Sequence, residues 1–278
     1  MTAATEPAWL APSSLEEALA LRAERGDEAT VLAGGTFLGI LMNQGFLAPS
    51  GFLSLGRVAG LARIEADGEL RLGAMTTHTA VERAEAVRTG WPALARAFGL
   101  VASPRVRNQA TVGGVLADAD YASDPPAMLA ALEARTVLRS TRGERSVAID
   151  ELILGYYETC IEPDELLVEV VVPPAPERAV YRKFRSRSTE DRPCVAVAAT
   201  RGGTRVRVVV GAVAETPQHF PDLCALADGE ELAPGLCDEI GRRYAERIEP
   251  MSDARGSAAY RRRVTAVEVR RALEDIAP

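Results

Sequence analysis

The ten residues Val31-Leu-Ala-Gly-Gly-Thr-Phe-Leu-Gly-Ile40 constrain the fold of this chain more than any other stretch. Val31, Leu32 and Ala33 form a short apolar run that reads as a buried strand. Gly34, Gly35 and Thr36 end it, and a helix-like run starts at Phe37. The paired glycines reach backbone angles closed to other residues and leave the main chain bare, so a ligand can lie against it. Successive N–H groups exposed in such a turn make a concave nest suited to a phosphate. A plain strand-to-helix turn uses the same residues, so this segment alone leaves both readings open.

A second copy of the pattern lies at Thr111-Val-Gly-Gly-Val-Leu-Ala-Asp-Ala-Asp-Tyr-Ala-Ser-Asp124. An apolar step again meets paired glycines, followed by small residues and then an acidic one. Two glycine-rich turns far apart in sequence can close on one extended, diphosphate-containing cofactor. Neither fits Gly-x-Gly-x-x-Gly or Gly-x-x-x-x-Gly-Lys-Ser/Thr, which disfavours a Rossmann or P-loop fold.

The 278 residues suffice for two domains. A net charge of −7 argues against a general nucleic-acid binder, although Arg182 to Arg192 and Arg261-Arg-Arg263 are locally basic. Cys160, Cys194, Cys224 and Cys237 are scattered without a Cys-x-x-Cys pair, so they suggest neither an iron–sulfur nor a zinc site. They fit packing residues in a reducing compartment. The two histidines, His78 and His219, are too few for a His-based metal centre. Met1 to Leu10 lacks the basic start and apolar core of a signal peptide, and no apolar run spans a bilayer. The expected location is the cytoplasm.

Overlapping capping boxes at Ser13-Ser14-Leu15-Glu16-Glu17 start a helix that Gly26 stops. The first glycine turn, a helix ending at Asn43-Gln44-Gly45 and a strand at Phe52 to Leu55 complete an α/β unit near residue 58. Asp67-Gly68 is a hairpin signal, and Thr79-Ala-Val-Glu82 reads as a helix cap. Helices are expected at Pro92 to Phe98 and from Pro125-Pro126 to Leu132, with strands around Thr141 to Gly143. Leu166 to Val172 is a β-branched run closed by Pro173-Pro174, taken as a domain boundary. Beyond it come Tyr181 to Phe184, the strands Val195 to Thr200 and Val206 to Val213, and two closing helices. Ala266, Val269, Leu273 and Ile276 mark the buried face of the last.

Ala33-Gly34-Gly35-Thr36-Phe37-Leu38, with Thr111-Val-Gly-Gly and the downstream Asp124, resembles the hallmark pair of the FAD-binding medium subunits of molybdenum hydroxylases. That family includes the carbon monoxide dehydrogenase and xanthine dehydrogenase FAD subunits. The resemblance continues through Leu154-Gly-Tyr156-Tyr-Glu-Thr159 with Pro163-Asp-Glu-Leu-Leu167, and Tyr181-x-Lys183-x-x-x-Arg187-x-x-x-Asp191. Gly211 to Pro217 and Ser252 to Arg261 extend it to the last helix. It implies an α+β fold. A two-subdomain FAD-binding domain of the vanillyl-alcohol-oxidase (PCMH) type would cover 1–174, split into about 1–58 and 59–174. A C-terminal domain at 175–278 would carry a three-stranded antiparallel sheet and a helical bundle. It further implies that FAD contacts Val31, Leu32, Ala33, Gly34, Gly35, Thr36, Phe37 and Leu38, the backbone N–H groups from Ala33 to Leu38 holding the pyrophosphate. Thr111 and Gly114 would line the second turn, Asp124 would accept from a sugar or ribityl hydroxyl, and Leu167 and Lys183 would approach the flavin. Read from sequence alone, Lys183 fits a solvated charge nearly as well.

The implied function is electron transfer beside two partners, a molybdopterin-binding large subunit and an iron–sulfur small subunit, with NAD, a quinone or oxygen as acceptor. No catalytic residue and no metal ligand is assigned to this chain. Val115 stands where the family has Asn, Tyr121 where it has Pro, and Arg192-Pro193 where an apolar or aromatic residue and Ala are usual. These departures motivate an alternative, a stand-alone FAD oxidoreductase using Tyr156, Tyr157, Lys183 or Asp191 as acid–base groups. A scaffold that has lost FAD is a third reading, which the retained glycine pairs disfavour.

Overall fold

The computed structural model describes residues 6–277. Residues 1–5, on which the expectation of no leader partly rests, lie outside the described residues. Ser14 caps the helix Leu15–Arg25 by accepting from the Glu17 N–H at 3.2 Å, and Gly26 ends it at φ +50°. This helix packs Ala18 and Leu19 on a three-stranded parallel sheet. Gly51–Ser54 is its centre, flanked by Ala8–Leu10 and Thr30–Leu32. Thr30–Leu32 is thus an edge strand and only half-buried, not the buried strand its apolar run suggests. The reason is that its outer side faces a cavity.

A five-stranded antiparallel sheet follows, with Leu166–Val172 between Glu69–Gly73 and Arg135–Ser140, and with Ile64–Asp67 and Gly143–Ala148 at the edges. Asp67-Gly68 makes the expected hairpin, Gly68 taking φ +73°. All of Leu166–Val172 is buried, because a register shift between Leu167 and Glu169 lets it serve two cores. Leu166 and Val168 join the core under the first helix. Leu167, Val170 and Val172 join a helical layer that includes Pro92–Gly99 and Pro125–Ala131. Helix His78–Arg83 is capped by Thr77, two residues before the expected start, because the Thr79 hydroxyl is engaged with Asn108 at 2.7 Å.

The C-terminal sheet has four antiparallel strands, not three: Arg178–Phe184, Val195–Gly202, Arg205–Gly211 and Gln218–His219. The fourth is two residues long, too short for alternation to reveal it, and pairs only with Val209 and Val210. Both faces of this sheet are covered. Val197, Ala199, Val208 and Val210 meet the helices Pro234–Arg247 and Ala258–Asp275. Ala196, Ala198 and Val209 meet Pro125–Ala131, and a Cβ on Gly211 would stand 2.9 Å from that of Ala127. The C-terminal sheet is therefore packed directly onto the helical layer beside the cavity. Among the described residues, no helix is long and apolar enough to cross a membrane.

Candidate functional site

A cavity of about 670 Å³ opens where the parallel sheet, the helical layer and the loop after Phe184 meet. Val31, Ala33 to Leu38, Thr111, Gly114, Asp124, Leu167 and Lys183 all line it. Leu32 does not: its Cδ1 lies beneath Gly35, 3.2 Å from where a Cβ there would sit. The two glycine segments touch. A Cβ on Gly34 would fall 1.9 Å from the Gln109 carbonyl oxygen, so only glycine lets the first bend approach the turn leading into the second segment. Gly35 takes φ +68°, a left-handed conformation that costs other residues about 1–2 kcal/mol.

The first bend has a distinctive hydrogen-bond inventory. Among the described residues, no main-chain N–H from Ala33 through Leu38 donates to a main-chain or side-chain acceptor; the first in use is Gly39, bonded to Gly35 O at 2.9 Å. Polar main-chain groups are almost always satisfied, and consecutive open donors call for water or an anionic ligand. The second segment differs from the expected open turn. Thr111 is the N-cap of the helix Val112–Ala117, and its hydroxyl accepts from Gly114 N–H at 3.1 Å. Val112 and Gly113 N–H donate to Thr76 and Ala74 carbonyls at 2.9 and 2.8 Å. A Cβ on Gly113 would meet that of Ala74 at 2.7 Å, so this glycine serves close packing. His78 backs the segment, its ring Nε2 3.2 Å from Thr111 O; burial lowers its pKa to about 4 and keeps it neutral at pH 7.

Lys183 is no solvated charge: its side chain is 1% exposed and lines the cavity beside Asp124, at the end of the second segment. Its Nζ donates to Asp124 Oδ2 and to Leu100 O, both at 2.8 Å. Tyr181 OH donates to Asp124 Oδ1 at 2.8 Å. Each Asp124 oxygen thus holds one donor and keeps acceptor capacity for a second. Burial is the largest influence on both partners, raising Asp124 and lowering Lys183, with the opposite charge restraining each shift.

Two of the four departing residues reach the cavity. Val115 and Arg192 line it. Arg192 Nη1 lies 2.5 Å from Asp120 Oδ2, an atom that nevertheless lacks a well-aligned hydrogen bond. The guanidinium also sits 5.9 Å from the Phe37 ring centre, and Phe37 stacks on Tyr157 at 5.7 Å. Tyr121 OH donates to Asp253 Oδ2 at 2.8 Å and accepts from Arg255, tying the second glycine segment to the C-terminal domain. Burial pushes Asp253 up, but the Tyr121 hydrogen bond, the Arg255 N–H and the charges of Arg261 and Arg255 together hold it down to about 2. Tyr156 and Tyr157 are largely exposed, and the locally basic Arg261 is fully buried. Three of the non-glycine residues in the left-handed region, Ala102, Ala119 and Tyr157, line the cavity or adjoin its lining, and Tyr157 N–H donates to Ala119 O at 3.1 Å. Such strain collects where function fixes the backbone.

Two cavity-lining carboxylates escape a reading of the sequence, Asp118 and Asp120. Burial and the Asp120 charge raise Asp118 to about 7, while Arg192 opposes the shift. The Asp-x-Asp spacing after a helix carries no signal unless the neighbouring wall is known. Among the described residues, no group of three or more potential metal ligands occurs.

Residues 3–175 match the model of the FAD binding domain in molybdopterin dehydrogenase, and residues 179–276 that of the CO dehydrogenase flavoprotein C-terminal domain. The chain is 33% identical over 270 residues to the nicotine 6-hydroxylase medium subunit of Paenarthrobacter nicotinovorans, covering 95% of each chain. A solved carbon monoxide dehydrogenase from Hydrogenophaga pseudoflava, lacking the Mo-pyranopterin moiety of its cofactor, superposes with a TM-score of 0.92 at 32% identity, covering 98% of this chain and 97% of that one. Quinoline 2-oxidoreductase from Pseudomonas putida 86 gives 0.90 at 29% identity, covering 97% and 96%.

Proposed function

The chain belongs to the FAD-binding medium subunits of the molybdenum hydroxylases, and from that premise we propose that it relays electrons from an iron–sulfur partner subunit to an external acceptor. The observation that carries the cofactor placement is the run of six unclaimed N–H donors from Ala33 to Leu38 on the wall of a 670 Å³ cavity. They fit a diphosphate. Under this reading they hold the pyrophosphate, and Gly34 lets them stand against the second segment. Thr111 and Gly114 line the adjoining wall, Asp124 accepts from a hydroxyl with its remaining lone pairs, and Leu167 supplies apolar contact. Lys183, engaged with Asp124 and Leu100 O, brings a buried amino group to this wall, where it would approach the flavin. FAD, when bound, supplies the electron-carrying chemistry; the protein binds, orients and tunes it. No residue of this chain need act on the organic substrate, which is oxidised on a molybdopterin-binding large subunit. NAD, a quinone or oxygen receives the electrons.

We place the division of the chain at Pro173-Pro174, with subdomains of about 1–58 and 59–174 of the vanillyl-alcohol-oxidase type before it. Its own three-, five- and four-stranded sheets support that partition. The four cysteines, all unpaired, agree with a cytoplasmic location. Purification of the native assembly should recover this chain with two further subunits, its flavin reduced by substrate only in their presence. An isolated chain that turns over a small molecule by itself would support the stand-alone oxidoreductase instead.

A further inference from the structure

We propose that Asp118 is a proton-dependent element of the diphosphate site: neutral, it donates its O–H to a phosphate oxygen of bound FAD, and ionised, it opposes the ligand. The inference rests on the FAD placement above and adds a residue and a pH dependence to it.

Position comes first. Asp118 N–H donates to Gly114 O at 2.9 Å, one helical turn on, so Asp118 continues the side of Val112–Ala117 that carries Gly114. That side faces the first bend, since a Cβ on Gly114 would stand 4.0 Å from the Cβ of Ala33, where the run of open N–H donors begins. One turn advances about 5.4 Å along the axis. Asp118 and the nest therefore share one stretch of cavity wall, and both line it.

Charge comes second. The groups facing Asp118 leave it the odd member. Asp120 is paired with Arg192, and both line the cavity. Lys183 is committed to Asp124, and Arg255 to Asp253. Glu190 and Asp191, on the loop that carries Arg192, add negative charge to the lining. Asp118 has no cation of its own among the described residues, and burial together with the Asp120 charge holds its proton to about pH 7. His78 stays neutral above about pH 4, and the Tyr157 phenol, raised by partial desolvation and by the Asp120 charge, keeps its proton throughout. A diphosphate brought onto this wall raises Asp118 further, because like charge disfavours ionisation. A carboxylic acid that donates to the phosphate resolves the conflict, whereas a carboxylate beside the phosphate does not.

The test is FAD affinity of the full chain, measured by flavin fluorescence between pH 6 and pH 8, where the internal diphosphate does not titrate. If only the neutral acid accepts the ligand, linkage gives about a ten-fold loss of affinity across that range. Asp118→Asn should bind with a nearly flat profile, and riboflavin, which has no phosphates, should show no such fall with the wild-type protein. Asp118→Ser serves as a second uncharged variant should the amide distort the wall. Wild-type affinity for FAD that is flat with pH, or a fall that persists in both variants, overturns the role of Asp118 while leaving the FAD placement standing. A chain that binds FAD at no pH overturns both.

Discussion

The two Gly-Gly segments look alike in sequence and do opposite physical jobs. In Gly34-Gly35 the glycines free the main chain: every N–H from Ala33 to Leu38 is without a protein acceptor among the described residues. In Gly113-Gly114 the glycines bring helix Val112–Ala117 against Ala74, and the neighbouring donors are consumed by Thr76, Ala74 and Thr111. One segment is a cradle, and the other is the wall that positions it. Paired glycines specify close approach, and what approaches is set by the rest of the fold.

The wall should be the more sensitive to loss of a structural partner. Asp124, which ends the second segment, depends on Lys183 for its charge balance. Lys183→Met leaves that carboxylate buried and unpaired, a change that costs about 3–5 kcal/mol. Denaturant unfolding should show a loss of that size, with partial recovery in Lys183→Met/Asp124→Asn. A loss below about 1 kcal/mol would mean that solvent reaches Asp124.

The glycines themselves separate the roles. Gly34→Ala and Gly113→Ala both insert a methyl where none fits, and each should destabilise by about 1–3 kcal/mol. Gly34→Ala forces the bend away from Gln109 and should also remove most FAD affinity. Gly113→Ala, measured on the protein that remains folded, should lower it far less. Equal losses of affinity would erase the distinction. Thr111→Val is the mildest change. It deletes the cap of Gly114 N–H and should cost about 1 kcal/mol in thermal unfolding, with a smaller effect on FAD than Gly34→Ala.

Much of this was legible in the sequence because local chemistry wrote it there. Ser14, Gly26 and Asp67-Gly68 set the ends of elements through caps and turns, and the apolar runs at Leu166 and Val195 marked strands covered on both faces. The family order of segments pointed to thirteen contact residues, and all of them but Leu32 line the cavity. What stayed hidden depends on partners far along the chain. Lys183 meets Asp124 across 59 positions, and Tyr121 meets Asp253 across 132, so a charge or a phenol met in sequence gave no sign of its burial. Asp118 became a candidate only once Gly114 was seen against Ala33. Gln218–His219 leaves no sequence signal, because two residues carry no period.

Hydrogen exchange of the main-chain amides, with and without FAD, compares cradle and wall directly. Without FAD, the amides from Ala33 to Leu38 should exchange fast and those of Val112 to Gly114 slowly; FAD should protect the first set strongly and change the second little. Protection by FAD that appears at Val112 to Gly114 while Ala33 to Leu38 goes on exchanging as fast as before would contradict the assignment of the phosphate cradle to the first bend.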